Sequence, residues 1–353
     1  MSTVLWVIFA GAILSNLGVT PKDAPLYGQI SGFAVPFALC VVLLSVNLAD
    51  MRMAGKPAIA AFFLATFGTI VGALAAGMSL SPWIARFLGE ESWKLAGPFT
   101  GTYIGGSLNF FAVWEGLEIG RPSLFAAANA VDNLALFPMF AVWMAFPLWA
   151  AGKWTISRRW EAPGIHDEPE AKAATRFVPS SIATLAFLAL AVMAVSTWVK
   201  TNWVDPIEPS VPLILVVTTF ALALGQVPAV RRLEGGWEIG DLCFWVFFAA
   251  VGSMIDFYEA VILSPILFLY VLIIISVHWV ITFGGGRLLG MDPAVLTIAS
   301  VATLAGPPLI PAVAHSRGWT HLALPGVVIG MLGYAIGNYV GFGTALLLKW
   351  LGG

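Results

Sequence analysis

Charged side chains are scarce in this chain: Asp, Glu, Lys and Arg make up 10% of its 353 residues, against 59% hydrophobic. A soluble domain carries roughly 25% charged residues. Too few polar groups are present to cover a water-facing surface, so lipid must be the solvent for most of the chain. The mean hydropathy of +0.90 agrees. Net charge is only −2 and no basic run occurs, which leaves a nucleic-acid partner without support. The two cysteines, Cys40 and Cys243, both lie in apolar stretches and read as small packing residues; a disulfide framework has no support. Chemical motifs are missing too. GxxxxGK[ST], HExxH, CxxC and GxSxG do not occur, which speaks against ATP-driven transport within the chain and against an enzyme. No cofactor is expected beyond a coupling ion, Na+ or H+.

What the chain has in abundance is long apolar runs. About eleven of them, roughly 16–28 residues each, fall near 4–19, 27–48, 57–79, 97–118, 122–150, 178–199, 210–230, 237–256, 260–283, 292–315 and 322–349. Most are long enough to cross a bilayer as helices. Backbone groups in lipid must be satisfied internally, and runs without two-residue alternation exclude a barrel. The fold class is therefore an all-α polytopic membrane protein with about 9–11 membrane segments. Residues 3–17 have no basic residue before them and no convincing cleavage site after them, so they read as a retained span, not a signal peptide.

Two runs differ from the rest. Segment 95–118 reads LAGPFTGTYIGGSLNFFAVWEGLE and segment 298–315 reads IASVATLAGPPLIPAVAH. Gly and Pro interrupt both, and they weaken a helix interior by about 1 and about 3 kcal/mol relative to Ala. Irregular backbone at membrane depth survives only where protein buries it or water lines it. These are expected to be broken or re-entrant segments that mark a site. Their placing suggests two inverted-topology repeats: residues 1–150, a hydrophilic cytoplasmic linker at 151–177, and residues 178–353. VIFAGAILSNLGV and its following span resemble VVTTFALALGQVP and its successor. Gly106, Ala112 and Val113 match Gly306, Ala312 and Val313 at one offset, and Asp132–Asn133 falls near the counterpart of Gly337–Asn338.

The basic residues test this topology. Arg52, Lys56, Arg231, Arg232, Arg287 and five linker residues (Lys153, Arg158, Arg159, Lys172, Arg176) all become cytoplasmic if segment 95–118 is a hairpin that enters and leaves on one side. Counting both broken segments as re-entrant leaves nine full spans, inverted halves and a cytoplasmic N-terminus, with Lys349 outside; re-entry of the first segment alone puts Lys349 inside at the expense of the inversion. Trp6, Trp83, Trp93, Trp160 and Trp203 read as interfacial anchors.

Polar groups at membrane depth are costly and usually functional. Asp132, inside AAANAVDNLALF, is a candidate cation ligand or proton carrier; the alternative is a protonated or hydrogen-bonded structural carboxyl. Thr100, Thr102, Gly105, Gly106, Ser107 and Asn109 form the first half of a candidate substrate site. Ser300, Thr303, Gly306, Pro307 and Pro308 form the second. Hard cations favour oxygen ligands, and unwound segments supply them; the alternative is that small residues simply allow close helix packing. Ser107, Asn109, Asp132, Asn133 and Asn338 are the candidates for cation or proton coupling, with Na+ at Asn109, Asp132 and Asn133. Glu115 and Glu118 read as interfacial, His278 as a packed, hydrogen-bonded histidine, and Asp256 and Glu259 as ordinary loop residues.

GTYIGGSLNFFAVWEGL with AAANAVDNLALF, and LAGPPLIPAVAHSRGW with LPGVVIGMLGYAIGNYVG, resemble the YjcL-like family of bacterial membrane proteins over nearly the whole chain. That family looks related to the bile acid:sodium symporters, sodium–glutamate symporters and cation:proton antiporters. The resemblance implies inverted repeats with a broken segment in each, near a substrate and cation site. It puts Ser107 and Asn109 near a sodium site and likens Asp132–Asn133 to the acid–amide pair of antiporters. Gly306–Pro307–Pro308 departs from the symporters in offering no carboxylate. The expected function is cation-coupled symport of a small organic anion in the bacterial inner membrane. The alternatives are a Na+/H+ antiporter and a membrane receptor or assembly subunit that does not transport. Expected partners are the bilayer, a small-molecule or ion substrate and, as one option, a second copy of the chain.

Overall fold

The computed structural model describes residues 3–150, 154 and 178–352. Trp154 aside, the linker at 151–177, with its five basic residues and Trp160, lies outside the described residues. The rest is about 85% helical, with no strand among the described residues. This is the solution lipid demands, since each helix pairs its own N–H and C=O groups.

In chain order the helices are α1 (Thr3–Asn16), α2 (Pro25–Leu44), α3 (Met51–Leu88), α4 (Ala96–Gly105), α5 (Ser107–Gly116), α6 (Pro122–Ala150), α7 (Pro179–Val199) and α8 (Leu213–Gly225). There follow α9 (Pro228–Arg231), α10 (Gly236–Ser253), α11 (Phe257–Trp279), α12 (Gly286–Leu288), α13 (Pro293–Leu304), α14 (Ile310–Ser316) and α15 (Ala323–Trp350). Six stretches, 25–44, 48–105, 122–150, 179–204, 258–288 and 320–350, are long and apolar enough to cross a membrane. Three shorter apolar helices lie at 6–16, 213–225 and 293–304. The 57–79 run belongs to a 38-residue helix whose regular course starts only after Gly55 (φ 74°, ψ 157°).

The helices form two compact units. The first comprises residues 1–47, 111–134 and 174–269; the second comprises 48–110, 135–173 and 270–353. In the first, α2 is the centre: Val35, Ala38, Leu39, Cys40 and Val41 are fully buried, and α7, α8 and α10 pack on it. Small residues permit the approach. A Cβ on Gly225 would lie 2.9 Å from Leu43 O, and one on Gly236 3.0 Å from Val41 O. Helices α1 and α10 meet through a reciprocal pair, Gly11 against Ala249 O (2.9 Å) and Gly252 against Ile8 O (2.5 Å). Such small-residue contacts are how membrane helices gain dispersion contacts without a hydrophobic driving force. Amide and guanidinium side chains tie the ends: Asn16 Nδ2 donates to Ile255 O (2.8 Å), Gln226 Nε2 to Val46 O (3.1 Å) and Arg231 Nη1 to Asn47 Oδ1 (2.6 Å).

In the second unit α15 is the spine, and α3, α4, α13 and α14 pack on it. Two expectations are corrected. Trp93 is no exposed interfacial anchor: it is 9% exposed, with Lys349 Nζ 4.9 Å from its ring centroid. Asp256 and Glu259 are more than loop residues. Asp256 Oδ1 accepts from the Tyr258 and Glu259 N–H groups at the start of α11, and Glu259 pairs with Arg121. Cys40 and Cys243 are free thiols, as their apolar settings suggested.

Candidate functional site

The two Gly/Pro-rich segments are broken where the sequence suggests. Gly106 ends α4 with φ 78° and ψ −178°; Gly306 follows α13 with φ 76° and ψ 178°. This is the same backbone conformation 200 residues apart, and its positive φ is one that a side chain would strain. The breaks also touch: a Cβ on Gly306 would lie 3.9 Å from Gly106 Cα. The carbonyl-rich C-termini of α4 and α13 therefore meet, and α5 starts from the first break.

A glycine row on α15 holds both breaks. A Cβ on Gly330 would be 2.9 Å from Pro307 Cγ, one on Gly333 2.1 Å from Ile104 O, and one on Gly337 2.8 Å from Asn109 Cγ. The i, i+3, i+7 spacing puts these glycines on one helix face. That pattern is visible in GMLGYAIGN, which holds both Gly337–Asn338, the counterpart expected for Asp132–Asn133, and the coupling candidate Asn338.

Asn109 is the polar centre of the first break. It is wholly buried; its Nδ2 donates to Asn338 Oδ1 (2.9 Å) and to Tyr334 O (3.1 Å), and its Oδ1 has no partner. A buried oxygen without a donor costs about 1–3 kcal/mol. The hydroxyls of Thr100 and Thr303 are fully buried and donate to helix carbonyls, Thr100 to Ala96 O (2.7 Å) and Thr303 to Ala299 O (3.1 Å). Their oxygen lone pairs remain usable as acceptors. Thr102, Gly105 and Pro307 are also buried, whereas Ser107 and Pro308 are exposed.

Beneath the breaks runs a hydrogen-bonded chain that the sequence reading only grazed. Trp143 Nε1 donates to Ser300 Oγ (3.0 Å), Ser300 Oγ lies 3.0 Å from His278 Nε2, and His278 Nδ1 lies 3.0 Å from Thr69 Oγ1. Thr69 Oγ1 then donates to Tyr103 O (3.0 Å). Tyr103, three residues before Gly106, is non-helical (φ −87°, ψ 16°). Thus His278, the packed histidine expected from sequence, links the half-helix carrying Ser300 to the one carrying Tyr103. Thr69 and Trp143 carried no signal, because a Thr among Ala and Gly and a Trp among apolar residues look like ordinary packing.

Asp132, Asn129 and Asn133 belong to the first unit, on α6. Asp132 and Asn133 are half-buried, Asn129 is 2% exposed, and Asn133 Nδ2 donates to Asn129 O (2.8 Å). No group of three or more His, Cys, Asp or Glu able to hold a metal occurs among the described residues. Any cation held at the breaks would meet neutral hydroxyl, amide and carbonyl oxygens, the ligands that suit hard cations.

A family model described as a protein of unknown function (DUF819) matches residues 1–351. The uncharacterized membrane protein YjcL of Bacillus subtilis (strain 168) is 27% identical over 355 residues, covering 95% of this chain and 87% of that protein. The match spans both helix breaks and the helices that hold them, and this chain belongs to the DUF819 family of membrane proteins.

Proposed function

We propose that the chain is a secondary active transporter of a bacterial inner membrane, N-terminus cytoplasmic, that couples Na+ or H+ to symport of a small organic anion by alternating access. The observation that carries this reading is Asn109 Oδ1, a buried and unpartnered oxygen at a break where two helix C-termini meet. Helix C-termini favour a cation, and hard cations favour oxygen ligands. Asn109, Thr100 and Thr303 are the groups of the second unit suited to one. Membrane transporters place discontinuous helices around substrate and ion sites, the organisation that the matched breaks suggest. The likeness of the sequence to symporters and antiporters points the same way. As a co-substrate, the cation supplies charge that offsets the anion's own.

The competing reading is cation/proton antiport through Asp132–Asn133, favoured by an acidic side chain half-buried within the 122–150 span. Uptake into proteoliposomes with an imposed Na+ or H+ gradient separates the two. Gradient-dependent accumulation of one carboxylate from a panel, abolished in Asn109→Ala, supports symport. Cation-dependent proton flux with indifference to every organic anion would replace it with antiport. Specific binding without flux would leave a receptor.

A further inference from the structure

The first unit contains two cavities that the transport reading leaves unused. One, of about 210 Å³, is lined by Glu115, Arg121, Trp114, Phe125, Phe247 and Pro122 among others. It carries charges of both signs. No hydrogen bond or ion pair to the Glu115 carboxylate occurs among the described residues, and the charge that most affects it is the like-signed Glu118. Arg121 pairs through Nη2 with Glu259 and brings a positive charge to the lining of this cavity. A part-buried carboxylate without a cation is an unfavourable arrangement. It is one that a ligand's ammonium group would relieve, with the faces of Trp114 and Phe125 adding cation–π attraction.

The second cavity, about 400 Å³, is lined almost wholly by apolar side chains, among them Ala126, Ala130, Leu134, Phe9, Trp6 and Val261. The two share a track. Pro122 borders the charged cavity, and Ala126, Ala130 and Leu134 border the apolar one. At four-residue spacing these form a single ridge of α6. The ridge is about 18 Å long at 1.5 Å per residue, close to the roughly 15 Å depth of one bilayer leaflet's hydrocarbon. The flanking Trp6, Phe9 and Val261 are 58%, 48% and 70% exposed. A head cavity with a carboxylate and a guanidinium, leading along one helix ridge into an apolar groove of leaflet depth, has the polarity of one lipid molecule.

We propose that the first unit is a specific site for a zwitterionic aminophospholipid, its ammonium on Glu115, its phosphate at Arg121 and one acyl chain along the Pro122–Leu134 ridge. Charge complementarity selects this occupant over an anionic lipid, which offers the phosphate but leaves Glu115 without a cation.

The test is native mass spectrometry of the full chain, released from nanodiscs containing equal phosphatidylethanolamine and phosphatidylglycerol with identical tails. The expected result is a single retained lipid with about fivefold preference for phosphatidylethanolamine, about 1 kcal/mol, the upper end for one partly exposed ion pair. Glu115→Gln, nearly isosteric, brings the ratio to about one, and Ala130→Phe, which fills the groove, lowers occupancy by either lipid. Equal retention of the two lipids by the unaltered protein would overturn it, and so would an unchanged preference in Glu115→Gln. A lipid-free dimer sealed across this groove would also overturn it. Glu115 has no part in the transport reading, so uptake measured in Glu115→Gln reports separately on that proposal.

Discussion

Asn109 Nδ2 donates to Asn338 Oδ1 across 2.9 Å, while the Oδ1 of Asn109 itself faces no donor. The amide is thus fully used on its nitrogen side and idle on its oxygen side, and a cation would complete it. Asn109→Ala removes both functions, whereas Asn109→Asp keeps an oxygen at the Oδ1 position and loses both N–H donations, to Asn338 Oδ1 and Tyr334 O. The expected outcome is that Asn109→Ala abolishes Na+- or H+-dependent stabilisation of the detergent-purified protein. Asn109→Asp retains part of that response, with altered pH dependence. Ligand-linked shifts in melting temperature read both. Equal responses in both variants and the parent would remove Asn109 from the site.

The chain Trp143–Ser300–His278–Thr69–Tyr103 O fixes a tautomer. Trp143 can only donate, so Ser300 accepts from it and has its proton free for His278 Nε2. Thr69 donates to Tyr103 O and therefore accepts from Nδ1–H. Replacing His278 by Ala leaves the buried Ser300 and Thr69 hydroxyls each short of one partner, and a cavity, and should cost about 3 kcal/mol or more. Trp143→Phe, which removes one donor but keeps most of the ring, should cost about 1 kcal/mol. Thermal unfolding in detergent would give the order parent, Trp143→Phe, His278→Ala. A His278→Ala protein as stable as the parent would show the chain to be dispensable.

Close approach makes Gly333 the most sensitive glycine on α15. A methyl group there would sit 2.1 Å from Ile104 O, which is backbone and can yield only if the first break shifts. Gly333→Ala should therefore lower stability by about 1–3 kcal/mol and impair uptake. Gly32→Ala on α2, where nothing lies within 4 Å, should be neutral or slightly stabilising. Comparing melting temperatures of the pair separates a packing effect from a general intolerance of alanine.

Much of this architecture was legible because lipid imposes strict rules. Run length gave the long helices, and the Gly–Pro interruptions at 106 and 306–308 gave both breaks, since those residues act locally on φ and on hydrogen bonding. Asn109 and Asn338 stood out because an amide at membrane depth needs a partner, though nothing in the chain said they would be each other's. Thr69 and Trp143 stayed hidden because their roles arise only when α3, α6, α11 and α13 converge. Trp93 misled for a related reason: an indole near a run's end reads as an anchor, and only packing reveals it as buried.

Asp256 offers a pH-dependent reading in the first unit. Its carboxylate accepts from the Glu259 and Tyr258 N–H groups and approaches Lys22 Nζ at 3.2 Å. The Glu259 N–H bond, then that from Lys22, holds its pKa below the ordinary value. A depressed carboxylate contributes stability that is fully present above the unfolded pKa of about 3.9. That contribution is lost as pH falls through the lower folded value. Asn caps a helix as well as Asp, so Asp256→Asn keeps the cap and removes the titration. The difference in melting temperature between parent and Asp256→Asn should be constant from pH 7 to pH 5 and shrink below about pH 4. A difference that grew on acidification would contradict the assignment.

Asp132 tests the choice between the two transport readings. A charged Asp at a span centre costs roughly 2.5–3.5 kcal/mol on insertion scales, so a merely structural carboxyl should tolerate Asn. If Asp132 carries the proton or binds the cation, Asp132→Asn leaves melting temperature near the parent value and abolishes gradient-driven flux. Asp132→Glu should keep some flux with a shifted pH profile. Under symport, Asp132→Asn still binds the organic anion, with its cation dependence gone. Under antiport, no organic ligand stabilises either protein, and proton release on adding Na+ vanishes. Full coupled flux in Asp132→Asn would relieve this residue of any part in coupling and leave the helix breaks of the second unit to account for it.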